Sequence, residues 1–145
     1  MKIALGADHA GFSEKEKVKR TLDDLGIEYE DMGTYSDESV DYPDFAQKVA
    51  RSVASGEYEQ GLLVCGSGTG MAMAANKVKG VRAAVAWNED IARLAREHND
   101  ANILALPARF MPDEGLEKIV KAWFAADFDG GRHAARVEKI ENGEN

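Results

Sequence analysis

Residues Cys65-Gly66-Ser67-Gly68-Thr69-Gly70 place the chain's single thiol at the head of a glycine-rich turn. The apolar run Gly61-Leu62-Leu63-Val64 leads into it, and small residues from about Met71 to Lys77 follow at helical spacing. A strand, a glycine turn and a helix in that order make an anion-binding hole. Glycines let a ligand approach the backbone, and the free amides at the helix start favour negative charge. A cysteine in that field is expected to have a lowered pKa. Four readings meet here. A dinucleotide fingerprint needs a third glycine where the chain has Met71, and it usually follows the first strand. A cysteine-phosphatase loop needs an arginine at that same position. A base beside an oxyanion hole, able to remove a proton next to a carbonyl and hold the resulting enediolate, meets no contradiction. A buried, inert cysteine is the common fate of a free thiol, and the adjoining loop weighs against it.

Other polar residues are less telling singly. Asp8 and His9 follow the apolar run Ile3 to Ala7 and could be no more than a capped turn. His98, in Glu97-His98-Asn99-Asp100, reads by itself as a surface histidine at a helix end. Arg132 and Arg136 are four apart and share one helical face, suited to a phosphate clamp but equally to solvent or a subunit contact. Arg109 has no reading of its own. Asp37, Glu38, Asp41 and Asp44 lack histidine partners and read as a solvated loop. The three histidines and one cysteine lack zinc-ligand spacing, so neither a metal nor another cofactor is expected.

Alternating elements must position these groups. Ile3–Ala7 predicts a buried strand. Ser13 with Glu16 predicts a capping box, opening a helix that Val18, Leu22 and Leu25 continue and Gly26 ends. Ile27–Met32 predicts a more polar strand near a sheet edge. Pro43 opens a helix with Phe45, Val49 and Val53 inward. Strands over Val81–Trp87 and Asn102–Leu106 flank a helix capped by Asn88. Leu116, Ile119, Val120, Trp123 and Phe124 mark an amphipathic helix. Gly130-Gly131 breaks the chain before a last helix from Arg132 to about Ile140. This alternation is the pattern of a parallel sheet covered on both faces, with ligands beyond the carboxyl ends of its strands.

Length and charge bound the rest. The 145 residues fit one domain spanning 1–145, and 44% hydrophobic content suffices for a core. A net charge of −8 argues against nucleic-acid binding. No stretch approaches the ~20 apolar residues of a membrane span, and the apolar start is too short for a signal peptide. One cysteine forms no internal disulfide, and a cytoplasmic location is expected. Trp123, Phe124 and Phe128 precede a charged terminal helix too polar to pack on its own core, which points to at least a homodimer.

Taken together, the segments Asp8-His9-Ala10-Gly11, Gly33-Thr34-Tyr35, Asp41-Tyr42-Pro43, Cys65-Gly66-Ser67-Gly68, Ala74-Ala75-Asn76-Lys77, Gly80-Val81-Arg82-Ala83, His98-Asn99-Asp100-Ala101-Asn102 and Gly130-Gly131-Arg132-His133 resemble the type B ribose-5-phosphate isomerases. That group also holds galactose- and allose-6-phosphate isomerases. The resemblance runs from Ile3 to about Ile140. It implies a three-layer α/β/α fold with a five-stranded parallel, Rossmann-like sheet, and isomerisation of a phosphorylated sugar without cofactor. Under it Cys65 is the proton-transferring base, His98 assists ring opening, and Gly66, Ser67, Gly68, Thr69 and Gly70 hold the enediolate oxygen. Asp8, His9 and Asn99 contact substrate, and Arg109, Arg132 and Arg136 surround the sugar and its phosphate. The family's sites are shared between the subunits of a dimer; a tetramer is the larger assembly considered. Ser67 stands where many relatives have threonine, and Trp87-Asn88-Glu89-Asp90 is an unusual segment that could alter which sugar fits. A hexose 6-phosphate substrate, or a nucleotide-binding module, is the alternative.

Overall fold

A computed structural model describes residues 1–143. Five parallel strands are β1 (Lys2–Ala7), β2 (Glu28–Asp31), β3 (Gly61–Cys65), β4 (Ala83–Val85) and β5 (Ile103–Pro107), in spatial order β2-β1-β3-β5-β4. The helices are α1 (Phe12–Asp24), α2 (Tyr42–Ala54), α3 (Thr69–Asn76), α4 (Glu89–Asn99), α5 (Asp113–Ala125) and α6 (Arg132–Glu141). The expected three-layer α/β/α architecture with a five-stranded parallel sheet is what the chain adopts.

Strand composition sets strand position. β3 and β5 are apolar throughout and lie inside the sheet, every residue buried. β2, Glu-Tyr-Glu-Asp, alternates between exposed and half-buried and takes an edge. Side chains alternate across the strands, so each face has its own core. Ile3, Leu5, Leu62, Val64, Leu104 and Leu106 meet α1, α4 and α5, with Trp123 fully buried among them. Ala4, Leu63, Cys65, Ile103 and Ala105 meet α2 and α3.

Two local expectations fail for identifiable reasons. The Ser13–Glu16 capping box does not form. The helix already begins at Phe12, and the Asp8 carboxylate accepts from Gly11 N at 2.9 Å instead. Glu16 pairs with Lys19 at 2.9 Å. The strand expected over Val81–Trp87 contracts to three residues. Asn102 Oδ1 takes Arg82 N at 2.8 Å, and the Asn76 amide brackets Ala83, accepting from its N–H at 2.8 Å and donating to its carbonyl at 3.0 Å. This side-chain bracket occupies backbone groups that an extended edge would expose. The Asn88 cap forms as expected, its Oδ1 accepting from Ile91 N at 2.9 Å.

Candidate active site

The strand order reverses direction between β1 and β3: the chain steps outward from β1 to β2, then returns to lay β3 on β1's other side. The loops leaving these two strands diverge there and open a crevice at the carboxyl edge. Asp8 and His9 leave β1 into it, and Cys65 ends β3 beneath it. A cavity of about 360 Å³ occupies the crevice, lined by Asp8, His9, Cys65, the glycine loop and Arg109.

Close packing shapes this cleft. Gly11 turns the chain so near β3 that a Cβ there would stand 1.9 Å from the Val64 carbonyl oxygen. Gly68 adopts a left-handed conformation (φ 85°), which starts α3 at Thr69, two residues before the expected Met71. The first-turn amides of α3 therefore have no helical carbonyl to bond and face the cleft end of the sheet. Ser67 Oγ accepts from Thr69 N at 3.3 Å. Arg109 N donates to Gly66 O at 3.1 Å, and the guanidinium carbon lies 3.6 Å from where a Gly66 Cβ would be. Arg109 is exposed and makes no ion pair among the described residues, which leaves its charge for a ligand.

The Cys65 thiol is 2% exposed. Burial pushes its pKa well above the ordinary 9.0, and the negative charge of Asp8 pushes it further. The expectation of a lowered pKa is thus overturned: the helix-start field is outweighed by loss of water and by a neighbouring carboxylate. His9 Nδ1 accepts from Val40 N at 3.1 Å, so the neutral ring carries its proton on Nε2. Tyr42, whose ring a Cβ on Gly70 would touch at 2.7 Å, also lines the cleft. Sequence reasoning did not single it out; its place immediately before Pro43, at the opening of α2, was the available signal.

His98, Asn99, Arg132 and Arg136 are not in this cleft. α4 leaves the carboxyl end of β4 and runs back across the sheet, and its 11 residues cover roughly 15 Å. His98 and Asn99 thus sit at the amino edge, just before β5 begins. α6 joins them there, because His133 stacks on His98 with ring centroids 4.2 Å apart and Asp129 N donates to Glu97 O at 3.0 Å. An Arg82–Glu141 ion pair ties down the far end of α6. Val137 is the helix's one buried side chain, in keeping with the polar character read from its sequence. A cavity of about 460 Å³ lies nearby, between the residues preceding β4 and the end of α6. It holds Asn99 but no thiol or histidine.

Metal-binding potential arises here against expectation. Ligand atoms of His98, Asp129 and His133 all lie within 4.8 Å of one another, although their sequence spacing shows no motif. Two arginines add positive charge beside these ligand atoms. Partial burial holds the His133 pKa below its usual range, and His98, Arg132 and Arg136 add to this, while Asp129 alone works the other way. The unusual Trp87 segment lies at the carboxyl edge. Trp87 packs on Phe110, beside Arg109, with ring centroids 5.8 Å apart, but it does not line the cleft.

Known proteins show the same arrangement of chain. Ribose-5-phosphate isomerase B of Escherichia coli is 47% identical over 139 residues, spanning 96% of this chain and 93% of its own. The ribose 5-phosphate isomerase structure from Thermotoga maritima superposes with a TM-score of 0.94 at 54% identity, covering 97% of both chains. The Mycoplasma genitalium ribose-5-phosphate isomerase B structure, which holds ribulose 5-phosphate, gives 0.92 at 43% identity, covering 97% of this chain and 94% of that one. The family model described as Ribose/Galactose Isomerase matches residues 3–140. On a match this long, the chain belongs to the ribose/galactose isomerase family.

Proposed function

We propose that the chain interconverts ribose 5-phosphate and ribulose 5-phosphate through an enediolate, with Cys65 carrying the proton between the neighbouring carbons. The enzyme is a sugar-phosphate isomerase. The observation that carries the cysteine mechanism is the placement of the only thiol at the switch-point crevice, directly beneath the free amides of a glycine loop. A base and an oxyanion hole are the two parts an enediolate requires. The ribulose 5-phosphate held by the Mycoplasma genitalium relative supports the pentose phosphate as substrate.

The split between the two edges of the sheet supports a shared site. Each chain has a base and an anion hole at its carboxyl edge. At its amino edge it has a histidine and two arginines, without ion-pair partners among the described residues, suited to ring opening and phosphate capture. One chain cannot bring these together, whereas a second copy offering its amino edge to the first copy's crevice completes both in an isologous dimer. The α6 segment, weakly buried on its own chain, is then part of the contact. Among the described residues no helix is long and apolar enough to cross a membrane, and a cytoplasmic enzyme is the reading that suits a phosphorylated metabolite.

The test is steady-state isomerisation of purified protein with ribose 5-phosphate beside allose and galactose 6-phosphates, repeated with Cys65→Ala. Pentose turnover should exceed hexose turnover. The variant should lose activity by orders of magnitude while substrate binding largely survives, because only transition-state help is removed. Near-normal turnover in Cys65→Ala would remove the cysteine mechanism, and a hexose preference would reassign the substrate.

A further inference from the structure

We propose that Lys15, which is fully buried and does not line the cleft, is a positioning residue that fixes the tautomer and orientation of His9; the kinetic part of this rests on the isomerase reading above. Lys15 is the one fully buried charged side chain among the described residues. Its Nζ donates to Asp31 Oδ1 at 2.6 Å and to the Thr34 carbonyl. It stands 5.6 Å from the Phe12 ring centroid and 5.2 Å from that of Tyr35. Asp31 also takes Lys19 at 2.7 Å and Gly33 N at 2.9 Å. Burying an ammonium is costly, and one retained at the end of an edge strand points to a geometric demand.

The demand can be followed bond by bond. Lys15 holds the chain at Asp31 and Thr34. Between them Gly33 O accepts from Ala7 N at 2.8 Å, and Thr34 N donates to Ala7 O at 2.9 Å. Ala7 is the last residue of β1, next to Asp8 and His9. From Thr34 the loop swings across the crevice, gives Val40 N to His9 Nδ1, and ends with Tyr42 against Gly70. One buried cation thus anchors both ends of the His9 environment: the strand end that carries the residue, and the loop amide that fixes which ring nitrogen bears the proton. With Nδ1 occupied as an acceptor, Nε2–H is the donor left for substrate.

The test uses Lys15→Met, which preserves side-chain length and apolar volume, and Asp31→Asn, which keeps shape while removing the carboxylate charge. Long-range ¹H–¹⁵N spectra of the full-length protein read the His9 tautomer without substrate. The wild type should show the Nε2–H form, and both variants a mixture of tautomers. In kinetics, kcat/KM should fall roughly 10- to 100-fold in Lys15→Met, as for other displacements near 1 Å in an active site. That loss should shrink to under about threefold when His9 is already alanine, since coupled residues are non-additive. An unchanged His9 spectrum in folded Lys15→Met, or the full loss persisting in the His9→Ala background, overturns the proposal. If Lys15→Met does not fold, an unchanged His9 spectrum in Asp31→Asn overturns it. The spectra decide the question even if ribose 5-phosphate is not the substrate.

Discussion

Replacing Gly11 with alanine tests whether the turn after β1 is held against β3 as tightly as the geometry shows. The added Cβ would lie 1.9 Å from Val64 O, 2.3 Å from Val64 C and 2.8 Å from Cys65 N. Ordinary carbon–oxygen contacts are about 3.3–3.6 Å, so one backbone must retreat by more than about 1 Å. All three atoms are main chain in a central strand, and no rotamer change relieves them. Overpacking a core costs about 1–3 kcal/mol, occasionally more, and the upper end applies where nothing flexible can yield. At about 4 °C per kcal/mol for a domain of this size, the melting temperature should fall by roughly 10 °C. Because the strand atoms that move carry Cys65, kcat/KM should fall by about 100-fold or more. Gly26→Ala is the control. Its Cβ meets nothing within 4 Å but its φ is +70°, so it should cost about 1 kcal/mol of backbone strain and leave kcat/KM unchanged. Thermal unfolding followed by circular dichroism, with initial-rate kinetics at a temperature where both variants are folded, reads both effects. A Gly11→Ala protein melting within about 2 °C of wild type with full activity would refute the packing argument.

Mixing Cys65→Ala with His98→Asn, both assayed from the cyclic aldose where each is impaired, should raise turnover toward about a quarter of the wild-type value above their own residual rates, because random exchange makes half the dimers mixed and each mixed dimer has one intact site; no recovery after verified subunit exchange would contradict a shared site. His98→Asn should slow turnover from the cyclic aldose more than from ribulose 5-phosphate, which cannot close into a furanose. Arg132→Ala or Arg136→Ala should instead raise KM from both sides, and steady-state kinetics in each direction separates the two. For Cys65 the native pKa lies above the ordinary 9.0, so the folded state keeps its proton longer than the unfolded chain. Stability from this is full below pH 9 and falls by about 1.4 kcal/mol per pH unit above it, until the native pKa is reached. Urea titrations from pH 8 to 10.5 should show a shallower alkaline loss in Cys65→Ala than in wild type, and parallel curves would contradict the buried neutral thiol.

The elements themselves were legible because apolar runs and helical spacing are local. β2 announced its edge position through its polarity, and Asn88 announced its cap. The Ser13–Glu16 box misled because a competing cap, the Asp8 carboxylate on Gly11 N, lies upstream and acts through a turn rather than a helix motif. The length of β4 was hidden because the groups that bracket it, Asn76 and Asn102, are remote in sequence. For Cys65, proximity to a helix start was visible while burial between two layers was not, and burial governs the thiol. The separation of His98 from Cys65 did have a signal: a residue ending a helix that precedes a strand belongs to the amino edge, whereas a residue ending a strand belongs to the carboxyl edge. Only the family resemblance placed the two in one site, and it did so by way of a second subunit.

On the function proposed above, the state of the thiol and the division of the site would explain each other. A single chain buries Cys65 beside Asp8, with Arg109 the one arginine or lysine lining the cleft among the described residues. Both desolvation and the carboxylate favour the protonated thiol there, so an isolated chain is a poor base near neutral pH. A nearby cation lowers the pKa of an acid by favouring its charged form. The groups able to do this, Arg132 and Arg136, stand at the other edge, exposed and without ion-pair partners among the described residues. Delivered by a second copy, they would hold the substrate's phosphate and offset the negative potential around the cleft in the same movement. The glycine-loop amides would meanwhile polarise the sugar carbonyl, acidifying the neighbouring C–H toward what the thiolate can abstract. A thiol that stays neutral until cation, amide donors and substrate are all in place is protected from alkylation and oxidation in the free chain, since the thiolate is the reactive form. On the function proposed above, a dimer contact would be part of the chemistry, supplying the charge that turns a buried cysteine into a base.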